Sequence, residues 1–135
     1  MIQYRYHHTG VATKDIEITS AFYKNIGYSQ SEIVIDKIQN VRICFLSKKN
    51  SPLVELVEPI NDRSPVNEIL KKNGNIPYHF CYEVDGMTEA ILEMKKSGFI
   101  KIINPVPAKA FNNRLICFLY NKDVGLIELL EKELP

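Results

Sequence analysis

The sequence carries almost no net charge. Lys and Arg together number 17 and Asp and Glu 16 in 135 residues, a formal charge of +1. No electrostatic footprint therefore points to DNA, RNA or an anionic membrane as partner. No apolar run approaches the roughly 20 residues that cross a bilayer. The first ten residues, MIQYRYHHTG, lack the charged-then-apolar pattern of a secretory leader. Cysteine is scarce as well: Cys44, Cys81 and Cys117 are odd in number, widely spaced and outside any C-x-x-C. That pattern argues for reduced thiols and against a disulfide framework or zinc knuckle, so a cytoplasmic location is expected. A phosphate-binding glycine loop, a nucleophile elbow and an aromatic nucleic-acid platform are all missing. What is left is 45% apolar and 24% charged, the composition of an ordinary globular protein with room for one domain, residues 1–135.

Within that domain the chain is written twice. Placing His8 over His79, an offset of 71, lays HHTGVATKDIEITSAFYKNIGY over YHFCYEVDGMTEAILEMKKSGF, with Gly27 on Gly98 and Lys24 on Lys95. With the offset grown by two, Ile43-Cys44-Phe45-Leu46 falls on Ile116-Cys117-Phe118-Leu119. At that same offset Leu53-Val54-Glu55-Leu56 falls on Leu126-Ile127-Glu128-Leu129. Matched blocks in one order, with a single small length change, mark a tandem duplication.

Each half reads as strand, helix and three strands. The first strands are expected near Tyr4–Thr13 and Pro77–Val84, and the helices near Asp15–Asn25 and Met87–Ser97. Gly27 and Gly98 stand where a helix end favours a left-handed residue. Met87, Ala90, Ile91 and Met94 form an i, i+3, i+4, i+7 stripe. In the first helix Ile18, Ala21, Phe22 and Ile26 are the expected buried face. Further strands are expected near Tyr28–Asp36, Val41–Ser47 and Leu53–Glu58, then near Phe99–Ile103, Arg114–Tyr120 and Leu126–Glu131. Between the halves, Ser64 followed by Pro65 predicts a short connector helix closed by Gly74. The expected organisation is α+β: module 1 about 1–59, a connector 60–76 and module 2 about 77–135.

Strand alternation places Glu55 opposite Val54 and Leu56, and Glu128 opposite Ile127 and Leu129. One such glutamate reads as an edge or solvent-facing residue; two at matched positions weaken that reading, since a buried carboxylate needs something to neutralise it. His8 and His79 are matched too, whereas His7 has only Tyr78 as counterpart. Each half thus supplies one histidine and one glutamate. If the halves are related by a pseudo-twofold axis, His8, Glu55, His79 and Glu128 converge. Two imidazoles and two carboxylates suit a divalent metal such as Ni, Co, Zn, Fe or Mn. Cys81, two residues after His79, shares its face and reads as a cup-lining or a plainly buried thiol. Cys44 and Cys117 need only a core role.

These blocks, from HHTGVATKDI through VELVEP and PYHFCYEVDG to RLICFLYNKDVGLIELLE, resemble the vicinal-oxygen-chelate superfamily, which includes glyoxalase I, methylmalonyl-CoA epimerase, extradiol dioxygenases and bleomycin-resistance proteins. The resemblance implies two βαβββ modules forming a curved mixed-sheet cup around one divalent metal, with Ni, Co or Zn foremost. It maps the ligands onto His8, Glu55, His79 and Glu128. A complete ligand set argues against a metal-free drug binder, and two carboxylates argue against a two-His-one-carboxylate dioxygenase. A proton-moving lyase or isomerase remains, and resemblance to glyoxalase I implies Glu128 as general base and Glu55 as its partner in the proton transfer.

Between the two isomerases the stretch Asp36-Lys37-Ile38-Gln39-Asn40-Val41 carries isoleucine where such epimerases often have glutamate. The expected reaction is therefore of glyoxalase I type, turning a 2-oxoaldehyde–thiol hemithioacetal into a 2-hydroxyacyl thioester. A methylmalonyl-CoA epimerase-like enzyme is the alternative, and a non-catalytic ligand-binding protein a second. Arg114, beside Asn112 and Asn113, is a candidate anchor for a substrate carboxylate or phosphate, or an exposed strand-end arginine. A small-molecule thioester or hemithioacetal and a second copy in a homodimer are the expected partners, with the metal cup formed within one chain.

Overall fold

The structure is a computed structural model and describes residues 1–134. Ten strands and three helices follow one another as β1 (Tyr4–Ala12), α1 (Ile16–Asn25), β2 (Ser29–Gln30), β3 (Val34–Asp36), β4 (Val41–Ser47) and β5 (Val54–Pro59). They continue as α2 (Val66–Asn73), β6 (Ile76–Val84), α3 (Met87–Lys96), β7 (Ile100–Lys101), β8 (Val106–Ala108), β9 (Arg114–Asn121) and β10 (Gly125–Glu131). The α+β class and the duplicated order agree with the sequence reading. Two compact units result. One is continuous, His8–Tyr78; the other joins Met1–His7 to the described residues from His79 on.

In the continuous unit β1 runs parallel to β5, with Thr9 opposite Val54 and Gly10 opposite Glu55. Next to β5 lies antiparallel β4, which in turn pairs with both β2 and β3. The expected single strand over 28–36 is thus two short ones. The chain leaves the ladder between them, where the Ser31 amide donates to the Phe45 carbonyl and the Ser31 hydroxyl takes the Phe45 amide. Val11, Ile16, Cys44, Leu46 and Leu56 form this unit's core, with Tyr23, Tyr28, Ile33 and Val54 against it.

Helix α1 is capped by Asp15, whose carboxylate accepts from the Ile18 amide at 3.3 Å. Its buried face differs from the expected one. Ile16 and Ser20 are buried and Tyr23 half-buried, while Ile18, Phe22 and Ile26 are 73%, 60% and 45% exposed. The helix is rotated because Ile16 fills the core and the Ser20 hydroxyl turns in to bond Gln30. Connector helix α2 begins at Val66, with Pro65 at the cap position. The hydroxyl of Ser64 still takes the Val66 amide, at 3.4 Å, and Gly74 ends the helix at φ +70°.

The discontinuous unit repeats the plan. Strand β6 is parallel to β10, with Phe80 opposite Ile127 and Cys81 opposite Glu128. Antiparallel β9 follows, carrying β7 and β8. Ala90, Ile91 and Met94 of α3 are buried and Met87 half-buried, as the stripe predicts. They sit over Val84, Cys117, Leu119, Ile127 and Leu129. Ile2 completes this core from the other end of the chain. The arm is held by the Gln3 amide on Asp85, by the Tyr4 hydroxyl on Glu93 and by Tyr6 edge-on to Tyr82. Residues 1–7 therefore pack with the second half, a swap that module boundaries drawn from the duplication do not contain.

Candidate metal and active site

The ladder register puts a histidine and a glutamate together in each unit. Gly10 pairs with Glu55 across parallel strands, so the two positions share a face of the sheet. His8 lies two residues before Gly10 and, by the period of two, on that face as well. Its Nε2 stands 3.4 Å from Glu55 Oε1. The second unit does the same: Cys81 pairs with Glu128, His79 precedes Cys81 by two, and His79 Nε2 is 3.1 Å from Glu128 Oε1. His8 is fully buried, and Glu55, His79 and Glu128 are each 3% exposed. A carboxylate at such depth is costly unless a positive charge faces it.

Each pair has an aromatic neighbour that the sequence reading passed over. Phe45 lies opposite Glu55 in the β4–β5 ladder, and its ring stands edge-on to His8, centroids 5.8 Å apart. Phe118 lies opposite Glu128 in the β9–β10 ladder and stands edge-on to His79 at 5.2 Å. Both belong to the repeated Ile-Cys-Phe-Leu blocks, so the duplication itself was the available signal. Cys44 and Cys117, one residue earlier, point the other way into the two cores. Burial, with Glu17 and Glu55 as lesser contributors, pushes the Cys44 thiol up to about 11, and burial also raises Cys117.

The remaining candidates lie elsewhere. Cys81 is fully buried on the face of His79 and Glu128. His7 packs edge-on to Phe111. Arg114 donates to Glu83 at 3.0 Å and to the Glu131 carbonyl at 3.2 Å, and its guanidinium covers the Phe111 ring. It also borders an open cavity of about 320 Å³ with Asn112, Asn113 and Lys132. Ile38 is 64% exposed in the β3–β4 turn, where both the amide and the side chain of its neighbour Gln39 bond the Asp36 carboxylate.

The chain is thus a duplicated strand–helix–three-strand unit, and each copy bears one buried histidine–glutamate pair. The chain belongs to the Glyoxalase/Bleomycin resistance protein/Dioxygenase superfamily, matched over residues 7–118. Among individual relatives, it is 35% identical over 130 residues to human mitochondrial methylmalonyl-CoA epimerase, covering 93% of this chain and 72% of that protein. Mitochondrial methylmalonyl-CoA epimerase of Dictyostelium discoideum is 33% identical over 131 residues, covering 93% and 77%. A methylmalonyl-CoA epimerase structure from Mycobacterium tuberculosis superposes with a TM-score of 0.83 over 96% of this chain and 89% of that one; at 22% identity that likeness bears on the fold. These relatives are enzymes, and among the described residues no helix is long and apolar enough to cross a membrane.

Proposed function

We propose that the chain is a metal-dependent epimerase acting at the carbon next to a thioester carbonyl, on a methylmalonyl-CoA-like substrate. The observation that carries this is the doubled buried His–Glu pair, His8–Glu55 and His79–Glu128, in a chain whose curated relatives are methylmalonyl-CoA epimerases. Those relatives favour the epimerase over the glyoxalase I reaction that Ile38 suggested. An isoleucine in an exposed turn says little about which carboxylates serve as bases elsewhere.

The donor set fits a dication: two imidazoles and two carboxylates, all buried, with the carboxylates balancing a 2+ charge. In this reading His8, Glu55, His79 and Glu128 hold one ion of the Ni, Co or Zn type within a single chain. When bound, it supplies Lewis-acid stabilisation for charge developing on the thioester oxygen. Epimerisation needs a proton taken from one face of the carbon and a proton delivered to the other. Glu128 is assigned the abstraction at its carboxylate and Glu55 the return, roles that interchange for the opposite enantiomer. The buried imidazoles orient these carboxylates, and the walls of Phe45 and Phe118 limit water. Arg114 is retained as a candidate anchor for a substrate carboxylate or phosphate. The reading includes a cytoplasmic homodimer.

The test is deuterium exchange at C2 of a methylmalonyl thioester, followed by NMR in D2O with metal-loaded protein, alongside methylglyoxal plus thiol. Exchange with inversion on the first substrate supports the epimerase. Thioester formation from the second alone restores the glyoxalase reading. Tight thioester binding without turnover on either overturns catalysis in favour of a binding protein.

A further inference from the structure

In each unit the buried pair forms the first two members of a row of three. Strand β10 lies between β6 and β9, and the three contribute Glu128, His79 and Phe118. Phe118 is directly opposite Glu128, within reach of its side chain. His79 and Phe118 come from the strands on either side, yet their rings meet at 5.2 Å and 86° across the strand that carries the glutamate. Strand β5, between β1 and β4, sets Glu55 between His8 and Phe45 in the same way, with the outer rings at 5.8 Å and 74°. Elsewhere the halves have diverged, with Ile18 matched to Glu89 and Phe22 to Glu93, but this row is the same in both.

Each glutamate meets its histidine through one ring atom, Nε2, at 3.4 Å for His8 and 3.1 Å for His79. A contact through one atom does not by itself fix the plane of an imidazole, because the last torsion of a histidine is broad. A perpendicular phenyl ring does fix it, since aromatic pairs with centroids about 4.5–7 Å apart favour the edge-to-face arrangement. Core packing alone does not account for these rings. Ile43 and Ile116, two positions earlier on the same faces, are 4% and 0% exposed, whereas Phe45 and Phe118 are only half-buried. We propose, resting on the metal-dependent reading, that Phe45 and Phe118 are positioning residues for the metal ligands. Each sets the plane of its histidine and so the direction in which that imidazole offers a nitrogen to the ion. Supporting contacts of this kind matter because a ligand held in the wrong orientation costs metal affinity even when every donor atom is present.

Cobalt(II) titration of the chelator-stripped full chain, read by the visible spectrum and by competition with a chelating dye, tests this. Phe118→Leu is expected to weaken cobalt binding about tenfold and to shift the ligand-field bands, with the circular dichroism spectrum unchanged. Phe118→Tyr, which keeps the ring, is expected to restore both. Phe99→Leu makes the same substitution where the ring packs on the core beneath α3; it is expected to lower the melting temperature and leave the cobalt spectrum unmoved. Should Phe118→Leu fold poorly, Phe45→Leu and Phe45→Tyr decide in the other unit. A wild type that binds no cobalt overturns the metal reading and the positioning role with it. Leucine variants that bind cobalt as the wild type does overturn the positioning role alone. So does a spectral shift that Phe99→Leu reproduces or that tyrosine fails to restore.

Discussion

Chelation and carboxylate removal are expected to move the stability of this fold in opposite directions. Glu55 and Glu128 are each 3% exposed, and each lies against one imidazole at 3.4 and 3.1 Å. A ligand present at one hundred times its dissociation constant stabilises the folded state by about 2.7 kcal/mol. For a domain of this length each kcal/mol shifts the melting temperature by about 3–5 °C, so saturating metal should raise it by roughly 8–14 °C. The Glu55→Gln/Glu128→Gln double variant keeps the volume but loses both carboxylates of the proposed metal site, and most of that increment should vanish. Without metal the sign reverses. The amides remove two buried charges, and the chelated variant should be as stable as the chelated wild type or more so, by the order of 1 kcal/mol. Scanning fluorimetry on both proteins, with EDTA and with Co, Ni or Zn, gives the four melting temperatures. A wild type whose melting point ignores both chelator and metal would refute the reasoning. A double variant that keeps the full metal increment would do the same.

Glu128→Gln alone should lower the rate of C2 proton exchange by about 10²–10⁴-fold, read by NMR, with the circular dichroism spectrum unchanged. Alkaline conditions should erode stability through the buried thiols. Because Cys44 is raised to about 11 and Cys117 is raised as well, the unfolded chain releases these protons first. Stability is then intact below about pH 9; Cys44 erodes it between about pH 9 and 11 by up to about 1.4 kcal/mol per pH unit, and Cys117 acts in the same direction. Cys44→Ala should flatten that decline in pH-dependent urea melts, and an unchanged slope would count against it. Ile2→Ala should destabilise the protein by about 2–4 kcal/mol although it lies at the chain's start. Hydrogen exchange should show protection lost first around α3, and equal loss around α1 would contradict the unit assignment.

The duplication made the architecture readable, because it turned each ambiguous segment into two independent instances. Met87, Ala90, Ile91 and Met94 state their periodicity openly, and the glutamates of β5 and β10 announce themselves by breaking apolar strands. Helix α1 misled because periodicity reports which residues are apolar and not what covers them. Ile18, Phe22 and Ile26 form a valid stripe on the wrong side, while Ser20, whose hydroxyl is satisfied by Gln30, takes the buried position. Phe45 and Phe118 went unread for a related reason, since a phenylalanine in a strand looks like core until the register shows it opposite a glutamate. Nor does local sequence reveal that residues 1–7 pack with a partner some eighty positions away.

That last feature orders events during synthesis. The unit His8–Tyr78 is contiguous and can close as it leaves the ribosome. The arm ahead of it, with Ile2, Tyr4 and Tyr6, must wait for Asp85 and Glu93, 82 and 89 residues downstream. A loop of that span adds to the entropy of closure and slows the last stage of folding. In the finished protein the dependence reverses. Tension on the N-terminus is expected to load first the unit built from the chain's later half, because residues 1–7 pack into it.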